Sequence, residues 1–147
     1  MLQELIKKEN IVFLDENNPR NAIKSLVKKA KELGKLGDED LFETEIFERE
    51  AILSTGIGLG IAIPHAKLKG IENIFILVGV NKRGLDWNSI DEKPVRIVFL
   101  IGAPESDQKK YLRILSKLIL LIKNEVRRES IFSASQSQEV VELFKNF

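Results

Sequence analysis

The sequence predicts an α/β fold, a single domain whose β-sheet is flanked by helices on both faces. Three observations carry this. Two β-rich runs, "NIFILVGV" (73–80) and "VRIVFLIGAP" (95–104), lie at mid-chain; helical apolar spacing precedes them from Asn18; and helical spacing resumes after Pro104. At 147 residues the chain has one domain's length, with material for a core that stands alone.

Taken in order, "NIVFLDE" (10–16) reads as a short strand. Asn18 followed by Pro19 is a helix start, a capping side chain and then a proline whose missing N–H costs nothing in the first turn. Ala22, Ile23, Leu26, Val27, Ala30 and Leu33 then recur at helical spacing until Gly34 stops them. A second helix is expected after Asp38, with Leu41, Phe42, Ile46 and Leu53 along one stripe, giving way near Ser54 and Thr55. "IAIP" (61–64) is expected to be an edge strand, because Pro64 cannot donate to a ladder. Between the two long strands, "NKRGLDWNSIDEKP" carries turn chemistry around Gly84 and Asn88. A long helix should open at Pro104, Ser106 or Asp107 and run to about Ile122, with Tyr111, Leu112, Leu115, Leu118, Ile119 and Ile122 on one face. "ESIFSASQSQEVVELFKNF" closes the chain as one or two short helices, and the strand order is not readable.

Composition excludes several function classes. With 23 basic and 22 acidic residues the net charge is +1, so nothing in the overall field favours nucleic acid as a partner. The absence of cysteine excludes disulfides, thiol redox chemistry and a cysteinyl intermediate on this chain. "MLQELIKKEN" places charges where a signal peptide needs an apolar run, and the longest apolar runs fall short of the roughly 20 residues that cross a bilayer. The expectation is a cytoplasmic protein with no direct membrane insertion.

Function concentrates in "STGIGLGIAIPHA" (54–66), which contains His65, the only histidine. No Walker loop is present, and the third glycine comes one residue early for a dinucleotide fingerprint. The glycines therefore read either as a tight turn from helix into strand or as backbone whose bare N–H groups bind an anion. For His65 the bland alternative is a surface or core residue. A metal site would have only carboxylates to complete its shell, and no Gly-x-Ser-x-Gly elbow supports a serine triad, so neither metal nor cofactor is expected. What remains is histidine as base or nucleophile; neutral imidazole, with a pKa near 6.5, takes phosphoryl groups readily. Such a site needs an anion-binding loop and a cation. Arg49 lies three residues from Ile46 and four from Leu53, on the expected apolar stripe, where it either snorkels or pairs with an anion through its planar fork.

Taken whole, "FEREAILSTGIGLGIAIPHAK" resembles the EIIA domain of the fructose–mannitol class of the bacterial phosphoenolpyruvate-dependent sugar phosphotransferase system, a class that includes nitrogen-regulatory EIIA proteins. The matching pattern is Arg49–Glu50, Ser54–Gly58 and Gly60–His65, and the likeness runs on through "VRIVFLIGAPE" to the closing "SQEVVELF". The resemblance implies a mixed sheet flanked by helices. It also implies that His65 accepts a phosphoryl group on Nε2 from the phosphocarrier HPr or its nitrogen-branch counterpart. In sugar-transporting members the group then passes to a cysteine of an EIIB domain. Arg49 would be the arginine beside the phosphoryl group, and Ser54, Thr55, Gly56, Gly58 and Gly60 the loop around it. Ile57 and Leu59 are candidates for an apolar docking patch.

One departure stands out. Where the family commonly carries a second histidine, this chain reads "KKYLRIL", so Tyr111 takes its place. Tyrosine donates a hydrogen bond but carries no positive charge. The alternatives to a sugar-transport phosphocarrier are a regulatory protein whose phosphorylation state selects its partners, prompted by the lack of an EIIB or permease segment within these residues, and a homologue that no longer transfers phosphate, prompted by Tyr111.

Overall fold

Alternation along two long strands decides the architecture. The computed structural model describes all residues, Met1–Phe147. Strands β5 (Phe75–Leu85) and β6 (Val95–Ala103) pair antiparallel at the centre of a six-stranded mixed sheet. In β6, Ile97, Phe99, Ile101 and Ala103 point into one core, whereas Val98 and Leu100 point into the other. A strand buried on both sides needs cover on both sides. Helices α2 (Pro19–Glu32) and α3 (Glu39–Ile52) cover one face; α1 (Leu2–Leu5), α4 (Gln108–Ile122), α5 (Glu125–Ser133) and α6 (Ser137–Glu142) cover the other. Full burial of each large apolar side chain in these layers contributes about 1.5–3 kcal/mol. The α/β fold with helices on both faces is thus the observed one.

The remaining strands flank this pair. Strand β1 (Ile11–Phe13) lies parallel to β5 at one edge. On the other side of β6 lie β3 (Ile61–Ala62) and β4 (His65–Lys67), both parallel to it, and β2 (Gly56–Gly58) pairs antiparallel with β3. Because β3 faces β6 on one side and β2 on the other, "IAIP" is not an edge strand as its proline suggested. Pro64 instead splits one strand in two. Its carbonyl still accepts from Ile101 N–H (3.0 Å), so the ladder to β6 continues past it, and of the two halves β3 has a second partner in β2 while β4 has an open edge.

Other boundaries hold with instructive shifts. Asn18 caps α2 by accepting from Asn21 N–H (2.8 Å), and Asp38 caps α3 by accepting from Leu41 N–H (3.0 Å). Of the stripe expected on α3 only Phe42 and Ile46 are buried; Leu41, in the first turn, is 47% exposed, and Leu53, at the C-cap, 76%. Gly84 sits inside β5 rather than in the turn after it, at a register shift relative to β6 and with φ of 83°. On α4 the core face is Tyr111, Ile114, Leu118, Leu121 and Ile122. Leu112 and Ile119, expected on that face, turn toward the cavities beside β4, whereas Leu115, also expected there, packs against the core and lines those cavities as well.

Candidate functional site

The open edge at β4 is where the site forms. Residues alternate along β4, so Ala66 enters the core beneath α2 and α3 while His65 and Lys67 share the other side. Two adjoining cavities meet at His65, of about 600 and 360 Å3. Arg49, Ile52 and Leu115 line both, so the last turns of α3 and the second turn of α4 face one another across the imidazole.

The imidazole is held by its own strand. Nδ1 lies 2.8 Å from the Ile63 carbonyl oxygen, which can only accept, so Nδ1 carries the hydrogen and the Nε2 lone pair is free. Burial pushes the His65 pKa below its ordinary 6.5; the Ile63 bond opposes this, and the charges of Arg49 and Lys67 reinforce it. A half-buried, neutral imidazole with one committed nitrogen offers a lone pair of fixed orientation, the state from which an imidazole can act as a nucleophile.

Arg49 is solvent-exposed rather than buried on the apolar stripe of α3, yet it lines both cavities and makes no ion pair. Its fork is available to an anion. Tyr111 is buried and stacks at a tilt on His65, ring centroids 5.8 Å apart and planes at 37°. Burial raises the Tyr111 pKa, against the pull of Arg49, so the phenol stays neutral.

The "STGIGLG" stretch divides. Ser54 and Thr55 line the smaller cavity beside His65. Gly56, Gly58 and Gly60 line neither cavity; they build the β2–β3 hairpin, whose tip places Leu59 and Gly60 at φ of 60° and 77°. Two positive-φ residues at a two-residue loop have the signs of a type I′ turn. Gly56 N–H is already taken by Ser54 Oγ (3.1 Å), and a Cβ at Gly56 would lie 2.3 Å from Ser89 Oγ. Of the two docking candidates, Ile57 (40% exposed) lines the His65 cavity, whereas Leu59 (47% exposed) stands at the hairpin tip.

Two residues given no role from sequence organise this loop. Glu50 accepts from Thr55 N–H (3.1 Å), from the Thr55 hydroxyl and from the Trp87 indole N–H (3.2 Å). Ser54 Oγ donates to the Trp87 carbonyl at 2.7 Å. The Thr55 carbonyl in turn accepts from Ile63 N–H (3.1 Å), one residue-length from the carbonyl that holds His65. The adjacency of Glu50 to Arg49 was the only sequence signal for it. No group of three or more His, Cys, Asp or Glu side chains is placed to hold a metal ion, and no helix is long and apolar enough to cross a membrane.

Comparison with known proteins bears on this arrangement. A family model described as phosphoenolpyruvate-dependent sugar phosphotransferase system, EIIA 2, matches residues 4–147. The chain is 34% identical over 143 residues to a protein of Bacillus subtilis (strain 168) named PTS system fructose-specific EIIABC component, covering 97% of this chain but 22% of that protein. It is 31% identical over 140 residues to a Bradyrhizobium diazoefficiens protein named nitrogen regulatory protein, covering 95% of this chain and 91% of the other. Among solved structures, the nitrogen regulatory protein IIA-Ntr of Neisseria meningitidis superposes with a TM-score of 0.88 at 24% identity, over 97% of both chains. A complex of enzyme IIA-mannitol with phosphorylated enzyme IIB-mannitol from Escherichia coli matches with a TM-score of 0.79 at 19% identity, over 92% of this chain and 93% of that one. At those identities the two structures speak for the fold.

Proposed function

Because the chain belongs to the EIIA 2 family of the phosphoenolpyruvate-dependent sugar phosphotransferase system, we propose that it is a cytoplasmic phosphocarrier in which His65 Nε2 accepts a phosphoryl group from HPr or a nitrogen-branch counterpart. The observation that carries this is the Nδ1–H bond to Ile63, which leaves Nε2 as the free nucleophile beside Arg49. In the first step the Nε2 lone pair forms a bond to phosphorus while the donor's P–N bond breaks, its electron pair returning to the donor imidazole. In the second, the thiolate of an EIIB cysteine attacks phosphorus, and the pair of the breaking P–N bond returns to Nε2. Arg49 balances charge on the phosphoryl oxygens in both steps. Ser54 and Thr55 border the group, the glycines shape the hairpin that places them, and Ile57 and Leu59 belong to the apolar docking rim together with the exposed Ile52 and Leu53. Phosphoenolpyruvate, enzyme I and HPr should convert the wild type to an acid-labile, base-stable phosphoprotein. Equal incorporation by His65→Ala would sink the proposal.

A second reading, control of regulatory partners by phosphorylation, is favoured by the likeness to the Bradyrhizobium protein across nearly its whole length. A group of about −2 charge added at the exposed rim would change which surfaces dock there. Identical partner sets for both phosphorylation states, measured by pull-down, would remove this reading.

A further inference from the structure

We propose that Lys67 is a second phosphoryl-binding cation at His65, held in place by the ring of Tyr111; the inference rests on His65 being the phosphoryl acceptor. Lys67 is two residues along β4 from His65 and projects from the same side of the strand. Its Nζ sits 4.3 Å from the Tyr111 ring centroid, and the His65 ring stacks on that same ring at 5.8 Å. A hydrogen bond from Nζ to Gln108 Oε1 completes its hold.

Its charge is not cancelled. Glu45 and Glu48 line the same cavity, yet neither pairs with Lys67 or with Arg49, and all four ion pairs of the molecule lie elsewhere. A carboxylate partner would orient an ammonium by neutralising it. An aromatic face orients it and leaves the positive charge available. Two unpaired cations, one from α3 and one from β4, thus converge on one imidazole, an arrangement suited to a phosphoryl dianion with oxygens to share between them. Tyrosine at the position where the family resemblance implies an imidazole is then not a lost cation, because Lys67 supplies the charge and Tyr111 supplies the surface that positions it. The ring matters and the hydroxyl does not.

The test uses phosphoramidate, a small phosphoryl donor that requires no protein docking, with phosphorylation of His65 followed by intact mass and 31P NMR. Lys67→Met should slow phosphorylation at least about tenfold, Lys67→Arg and Tyr111→Phe should each retain most of the rate, and Tyr111→Leu should fall with Lys67→Met. His65 is titrated by NMR in each variant to show that the site is folded; its midpoint should rise in Lys67→Met, since Lys67 helps lower it. A wild-type rate in Lys67→Met, or Tyr111→Phe as slow as Tyr111→Leu, overturns this inference alone. Failure of the wild type to take phosphate on His65 overturns the phosphocarrier reading and this one with it.

Discussion

An imidazole offers two nitrogens, and at this site a backbone carbonyl chooses between them. With Nδ1 bound to Ile63, the free lone pair sits on the nitrogen farther from the backbone, without help from a carboxylate. Under the proposed function Arg49 is then the group whose removal should hurt most without touching His65. Arg49→Ala is expected to slow phosphoryl transfer from HPr by roughly 10²-fold, and Arg49→Lys to recover only part of it, because a point charge lacks the planar fork; stopped-flow transfer rates check both. His65 and Arg49 stand out as candidates in the sequence because their chemistry is unusual for their neighbourhood: a lone histidine behind a proline, and an arginine near an apolar stripe. Glu50 could not. Its role consists of bonds to Thr55 and to Trp87, the latter 37 residues away, and such a pairing leaves no periodic trace. Lys67 was hidden for a similar reason, since its partner Tyr111 lies on another element.

Elements were legible where one face of a helix is buried and the other is wet. Helix α2 is of this kind, and the expected residues Ala22, Ile23, Leu26, Val27 and Ala30 are its buried face. Helix α4 misleads because it is apolar on two faces. One packs on the sheet; the other, with Leu112 and Leu115, borders the His65 cavity, so function and core both contribute leucines to a single pattern. The hairpin between β2 and β3 misleads differently: its glycines serve backbone geometry, and a leucine occupies a left-handed position at the tip. Replacing Leu59 with asparagine, which tolerates that conformation and precedes Gly60 as a type I′ turn prefers, should stabilise the fold by about 1 kcal/mol. Urea denaturation would register it as a higher midpoint at unchanged slope. The same variant removes an apolar side chain from the proposed docking rim, so weaker HPr binding with greater stability is the expected combination.

At the scale of the molecule, both cores are built from one sheet, and the site occupies its edge at β4, just past the break at Pro64. Burial of His65 in that edge couples the site to global stability. The folded pKa lies below the unfolded value of 6.5, so between those two values the unfolded chain binds more protons. Stability contributed by the neutral imidazole is therefore full above pH 6.5 and is lost as pH falls from 6.5 toward the folded value. Glu4, Asp91 and Glu142, whose pKa values are lowered by hydrogen bonds, act in a more acidic window, their contributions fading only as pH drops below the ordinary carboxylate range. Urea midpoints measured from pH 5 to 7.5 should fall with acidity in wild type and fall less in His65→Gln. Parallel curves would contradict the coupling.

Trp87 is the only tryptophan, and its indole N–H is tied to Glu50 in the network that also holds Thr55 and, through Ile63, the strand segment bearing His65. The molecule therefore contains an intrinsic fluorophore wired to the residue proposed to accept phosphate. Loading His65 with phosphate should shift the emission maximum or intensity of Trp87 without any label, and the shift should vanish in Glu50→Gln if the wiring runs through that carboxylate. The proposed phosphorylation of His65 would then be followed optically and in real time, with no label added.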